Sequence, residues 1–313
     1  LVMSLEELSL SECSQFWGKY SKNISSYEKF KILSVTGGVP RYLENIVPSI
    51  NAEELIRQLC FTLEGFLFRE FDQIFNDLFS KRNETYRKVL ECLASCPNST
   101  FKDICQYLGV KKGGVLTKYL KDLVGAGFLM RFHTWDLKKA RTLKLSQFRI
   151  SDNYIRFYLK YIEPNKEGIL RGSFNDRPLG TTSGWEGIMG IQFENLVIHN
   201  RAALYALLKI HPSEILNEGP FFQKPTKKKS GCQIDYLIQT KYNSLYLCEI
   251  KFSKHPVQIN VIKEVEEKMA SLDYNGPLSI RPVLIHVNGV ASDVYSEQFF
   301  AEIVDFGQML KDV

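Results

Sequence analysis

The sequence is poor in several features that would each announce a function. No apolar run approaches the roughly 20 residues that a membrane helix needs, and the N-terminus lacks the basic start and apolar stretch of a secretory leader. Seven cysteines are scattered without a C-x-x-C pair, and five histidines form no H-x-x-x-H pair. Their spacing argues against a disulfide framework and against a zinc site. No G-x-x-x-x-G-K-[ST] phosphate loop occurs anywhere, so this chain is not expected to bind or hydrolyse ATP by itself. Cysteines in apolar contexts and the missing leader predict a cytoplasmic protein with no membrane partner. The chain opens on Leu1 rather than methionine, which suggests a piece of a longer gene product.

What is present is distributed unevenly. At 313 residues with 44% hydrophobic content, the chain can build two or three cores. The net charge of +5 is concentrated in residues 81–150, where 15 basic and 5 acidic side chains give +10. Such a segment favours a polyanion. Its pattern predicts three short helices: Glu84 to Ala94, a second capped by Ser99 or Thr100 and running to Leu108, and Val115 to Val124. A β-hairpin follows from Phe128 to Ile150. That order describes a winged helix-turn-helix. Lys111, Lys112, Lys118 and Lys121 would face solvent around the third helix, and Lys138, Lys139 and Arg141 would lie at the hairpin tip. These seven are the candidate nucleic-acid contacts, through backbone phosphates rather than base edges. A protein-binding winged helix or a simple solvated face is the competing reading.

Before this segment, residues 4–34 read as helical, with Ser4, Ser9 or Ser11 as caps, and Ser25 starts a helix to Ser34. Gly37-Gly38 ends that helix and Pro40 suits the first turn of the next. Residues 52–79 carry amphipathic spacing, from Leu55 to Ile74 and Leu78. After Asp152, an aromatic helix (Tyr154, Phe157, Tyr158, Tyr161) is expected to pack into a core.

The last segment centres on Cys232 to Lys254. Two strands, Gln233–Ile238 and Ser244–Phe252, flank a turn at Lys241–Ser244. Antiparallel pairing about Tyr242 sets Asp235 opposite Glu249, and the period of two puts Gln233, Asp235, Leu237, Leu247, Glu249 and Lys251 on one face. Ile234, Tyr236, Ile238, Tyr246, Cys248 and Ile250 form the other, the expected core face. Two carboxylates and an amine thus gather on an apolar ribbon. A helix from Trp185 to Ala206 precedes the hairpin. A helix from Pro256 to Leu272, a strand from Arg281 to Val287 and a terminal helical stretch with Phe299, Phe300 and Phe306 follow it. The loop Lys224 to Lys229 is either a phosphate-tracking or a solvated basic run.

Two resemblances bear on these patterns. SVTGGVPRYLE resembles the lid of archaeal-type AAA+ ATPases of prokaryotes. Phe148-Arg149-Ile150-Ser151-Asp152-Asn153-Tyr154-Ile155-Arg156-Phe157-Tyr158 is similar to the phrase that follows the winged helix in the same family, with Asn153 where proline is common. The resemblance implies that Gly38, Pro40 and Arg41 are remnants of a nucleotide contact, usable only with ATP on an ATPase core that this chain lacks. The last segment resembles the restriction-endonuclease-like, or PD-(D/E)XK, fold. That resemblance implies Glu194, Asp235, Glu249 and Lys251 as catalytic residues, and Asp235, Glu249 and the Ile250 carbonyl as ligands of Mg²⁺ or Mn²⁺. The expected chain is multidomain: a helical lid-like segment (1–80), a winged helix-turn-helix (81–165) and an α/β nuclease-like domain (166–313). DNA is the expected partner, with an ATPase core or a second copy also compatible. A non-catalytic DNA- or protein-binding regulatory module of an ATPase remains the alternative.

Overall fold

The computed structural model describes residues 7–79, 83–175, 177–225, 230–274 and 277–311, without the side chains of 75–79 and 83. Ser4, the side chain of Leu78 and residues 226–229 of the basic loop therefore lie outside the described residues. The fold is mixed α/β and forms two compact units, a division that cuts across the three sequence segments. One comprises Leu1–Arg131 with Gln147–Gln192, the other Phe132–Ser146 with Phe193–Val313.

In the first unit, α1 (Leu10–Ser14) starts at Ser9, which closes a capping box with Glu12. The helical reading of 4–34 holds in separate pieces, and Gly18 takes φ +49° inside the 3₁₀ segment Gln15–Asn23 that follows α1. Helix α2 (Ser26–Thr36) is capped by Ser25, whose hydroxyl accepts from the Glu28 N–H. Gly37 ends it at φ +59°, and Pro40 opens α3 (Pro40–Leu43). Helices α4 (Ala52–Cys60) and α5 (Phe66–Phe79) follow. A Cβ at Gly65 between them would stand 2.5 Å from the Leu59 carbonyl oxygen, so the turn admits only glycine.

Next come α6 (Asn83–Ser95), the short β1 (Ser99–Thr100), α7 (Phe101–Leu108) and α8 (Gly114–Gly125). Thr100 and Asp103 close the capping box that starts α7. The hairpin of β2 (Leu129–Asp136) and β3 (Arg141–Ile150) completes a three-stranded sheet, with Ser99 opposite Phe148. Asp152 caps α9 (Asn153–Phe157), accepting from the Ile155 N–H at 2.9 Å. Tyr154, Phe157, Tyr158 and Tyr161 are all buried, as expected. The Tyr154 hydroxyl donates to the Leu67 carbonyl at 2.6 Å, and Tyr158 stacks on Phe71. Helices α10 (Lys166–Leu170) and α11 (Trp185–His199) follow, and the boundary between units falls within α11.

The second unit continues through α12 (Arg201–Leu207) to a five-stranded sheet: β4 (Ile215–Gln223), β5 (Cys232–Thr240), β6 (Ser244–Ile250), β7 (Ser279–His286) and β8 (Glu302–Asp305), adjacent in that order. The first three strands run antiparallel. β6, β7 and β8 are parallel, and α13 (Asn260–Ser271) and α14 (Ser292–Ser296) supply the crossovers that parallel neighbours require. Asn243 takes φ +58° in the β5–β6 turn, and Leu237 stands opposite Leu247.

Both faces of this sheet are covered, not only the face read as core. Leu237, Leu247 and Leu245 pack with Val261 and Val265 of α13, while Tyr236, Ile238 and Cys248 are buried on the other side. Ile234 joins the Leu237 cluster because the β4–β5 register shifts between Gly219 and Phe221. The hairpin's far end also enters this core: Trp135 and Leu137 pack with Phe221. The Thr134 hydroxyl donates to the Phe222 carbonyl at 2.8 Å, and the Gln239 amide donates to the Leu137 carbonyl at 2.9 Å.

Two elements differ from expectation. β4, with Asn217, Glu218, Gly219 and Pro220 in its middle, has no strand-like alternation and is held by its long pairing with β5. The terminal stretch is β8 followed by the 3₁₀ turn Phe306–Leu310, not a helix. Its Ile303 and Val304 extend the sheet beside Leu284 and Ile285.

Candidate metal centre

The β5–β6 register sets the site. With Tyr236 opposite Cys248, Asp235 and Glu249 come from adjacent positions on neighbouring strands. The Ile250 N–H donates to Asp235 Oδ2 at 2.9 Å and holds that carboxylate in place. Ile250 thus reaches the site through its N–H, a contact separate from the carbonyl that the PD-(D/E)XK resemblance implies. Lys251, two residues beyond Glu249, brings its Nζ to 3.0 Å from Glu249 Oε1.

Helix α13 supplies what the sequence reading missed. Val261, Glu264, Val265 and Lys268 fall on one stripe at helical spacing. The valines enter the core, and the charged pair meets the hairpin. Glu264 Oε2 accepts from Lys251 Nζ at 2.6 Å, and Asn260 Nδ2 donates to Glu264 Oε1 at 2.9 Å. Lys268 Nζ lies 3.4 Å from Asp235 Oδ1 and also donates to Glu249 Oε2. The signal was available in the phrase Asn260-x-x-x-Glu264-x-x-x-Lys268, which threads polar groups along the helix beside its apolar positions.

Charges therefore alternate from Asp235 through Lys268, Glu249 and Lys251 to Glu264, and all four oxygens of the two strand carboxylates accept a hydrogen bond. Glu249 is nearly inaccessible at 3% side-chain exposure, whereas Lys268 and Lys251 keep 24% and 32%. Burial, then the Glu249 and Glu194 carboxylates, push Asp235 up to about 7, against the pull of Lys268 and the Ile250 N–H. Burial opposes the charge on Lys268, but Asp235 and Glu249 outweigh it and hold the amine above its ordinary value. Lys251 is raised in the same way, mainly by Glu249, and its hydrogen bond lowers Glu264. Glu194, half-buried on α11, takes part through its field at Asp235.

Among the described residues, no group of three or more His, Cys, Asp or Glu side chains is arranged to hold a metal ion. The donor chemistry nevertheless fits a hard cation. Asp235 Oδ1 and Glu249 Oε2 already converge on one positive centre, the Lys268 ammonium, and carboxylate oxygens are the ligands Mg²⁺ and Mn²⁺ take.

The basic residues fall into two groups. Lys111, Lys112, Lys118 and Lys121 are exposed on the first unit, around and along α8, whose Leu116, Leu120 and Leu123 are buried. Lys138, Lys139 and Arg141 are exposed at the hairpin tip, which belongs to the second unit. Asp136 Oδ1 accepts from the backbone N–H groups of Lys138 and Lys139, and Lys138 Nζ lies 3.8 Å from Asp273. In the lid-like segment, the Gly38 N–H donates to Glu7 Oε2 at 3.0 Å, and its carbonyl accepts from the Leu8 N–H at 2.9 Å. Gly38 is thus engaged by its own chain. Pro40 is exposed, and Arg41 pairs with Glu70 at 3.5 Å.

No helix of the described residues is long and apolar enough to cross a membrane. Among known proteins, no family model matches the chain. It is similar to the uncharacterized protein MJECL04 of Methanocaldococcus jannaschii, 30% identical over 169 residues, a match that covers 54% of this chain and 36% of that protein.

Proposed function

We propose that this chain acts on DNA, with a PD-(D/E)XK-type, metal-dependent phosphodiester-cleaving site in its second unit. One observation carries the reading: Asp235 and Glu249 converge from neighbouring strands, with Lys251 on the second carboxylate. Asp235 and Glu249 would hold Mg²⁺ or Mn²⁺, with the Ile250 carbonyl as a further oxygen donor, while Glu194 would act through its field at Asp235. When bound, such an ion polarises the phosphate and acidifies water. The Lys251 amine, held at Glu249, orients the water or neutralises charge that develops on the phosphate. In this reading α6 to β3 form a winged helix-turn-helix, and Lys111, Lys112, Lys118 and Lys121 contact DNA phosphates. The α2–α3 segment is the lid of an archaeal-type AAA+ ATPase, completed only by an ATPase core supplied from elsewhere.

A second reading has its own support. Lys268 already bridges the two carboxylates, which suits a non-catalytic DNA- or protein-binding module. Cleavage of plasmid and single-stranded DNA in Mg²⁺ or Mn²⁺ separates the two. Metal-dependent cleavage by the wild type, lost in Glu249→Ala and Lys251→Ala, is the expected result. Wild type indistinguishable from Glu249→Ala would end the enzyme reading.

A further inference from the structure

The carboxylate pair in this structure is not bare, because Lys268 bridges it from α13. The two oxygens it engages, Asp235 Oδ1 and Glu249 Oε2, are the two that face a common point. The other two are held elsewhere, Asp235 Oδ2 by the Ile250 N–H and Glu249 Oε1 by Lys251. A divalent ion at that common point would need oxygens at roughly 2.0 to 2.1 Å, in the volume the ammonium now fills. Ion and ammonium cannot share it, sterically or electrostatically.

The unequal burial of the partners decides which of them gives way. Glu249 is 3% exposed and Asp235 14%, both on paired strands, so neither can retreat. Lys268 is 24% exposed near the end of α13, on a flexible four-carbon stem that can carry its amine to solvent. Its place is also separable from that of Lys251. Lys251 has a second carboxylate, Glu264, and keeps a partner whatever happens between Asp235 and Glu249.

We propose that Lys268 is a built-in competitor for the divalent cation: it holds the Asp235–Glu249 pair in the metal-free protein and is displaced when Mg²⁺ or Mn²⁺ enters. This rests on the metal-site reading above. Lys268 is then a positioning residue that sets the metal affinity and places a positive charge between the two buried carboxylates.

The test is Mn²⁺ binding to the full chain by titration calorimetry, together with amine-acetylation footprinting of the wild type by mass spectrometry. Lys268→Met should bind Mn²⁺ about tenfold more tightly or better, whereas Lys268→Arg, which keeps the charge, should stay near wild type. In the wild type, Mn²⁺ should raise acetylation of Lys268 several-fold. This readout does not depend on whether Lys268→Met folds without metal. Wild-type Mn²⁺ binding with no gain in Lys268→Met and unchanged Lys268 labelling would overturn the proposal and leave the metal site standing. Binding by Lys268→Met alone would support it and identify the wild type as the non-catalytic form. Absence of binding in both would remove the metal site, and the proposal with it.

Discussion

The substitution Asp235→Asn removes one ionisable group from the second unit and leaves its shape nearly unchanged. The amide carbonyl it introduces can still accept from the Ile250 N–H, and Lys268 keeps Glu249. Asp235 titrates near 7 in the folded chain against 3.8 for a free side chain. The folded state therefore binds this proton more tightly than the unfolded state. As pH rises from about 4 to about 7 the unfolded chain loses the proton first, and stability falls across that window before levelling off. The largest effect such a difference allows is about 4 kcal/mol. The variant, lacking the titration, should therefore gain on wild type between about pH 4.5 and about pH 8. The comparison needs a local probe, because a chain of two units does not license one two-state transition. Trp135 is buried in the second unit, while Trp17 and Trp185 belong to the first. In a Trp17→Phe/Trp185→Phe background, denaturant unfolding followed by Trp135 fluorescence reports the relevant unit. Stability curves with and without Asp235→Asn that stay parallel within about 0.5 kcal/mol over this range would refute the reasoning.

Two further outcomes follow. Lys118→Glu with Lys121→Glu should weaken duplex binding in a gel shift and lower the slope of log affinity against log salt by roughly 2. No binding at low salt, or no effect of the pair, would remove DNA from the reading of α8. Trp135→Ala should destabilise the second unit by about 3 to 5 kcal/mol, because it empties a site packed edge-to-face on Phe221. Hydrogen exchange of the backbone amides of β5 to β7 in denaturant, a probe confined to the second unit, measures this, and a loss under about 1 kcal/mol would mean that the hairpin end contributes little to that core.

The parts of this fold legible in the sequence were those whose signals are local. Ser9, Ser25, Thr100 and Asp152 cap the helices that their neighbours predict, and Gly37 and Pro40 punctuate α2 and α3. The period-two pattern of β5 and β6 sufficed to bring Asp235 beside Glu249 and Lys251. What escaped depends on distant partners. β4 owes its extended form to β5, and β8 owes its form to β7, so neither needs a strong pattern of its own. Lys268 lies 33 residues from Asp235 along the chain, and its spacing to Glu264 reads as an ordinary solvated helix face until the helix is laid on the sheet. The hairpin tip shows the same limit: Trp135 and Leu137 look like strand residues, and only the packing assigns them to the second unit's core.

The most direct test of the metal-site reading is anomalous scattering from Mn²⁺-soaked crystals of the full chain. The account predicts a Mn²⁺ peak bonded to Asp235 and Glu249, with the Lys268 amine moved away from both. A map with no peak between the two carboxylates and Lys268 still bridging them would contradict it.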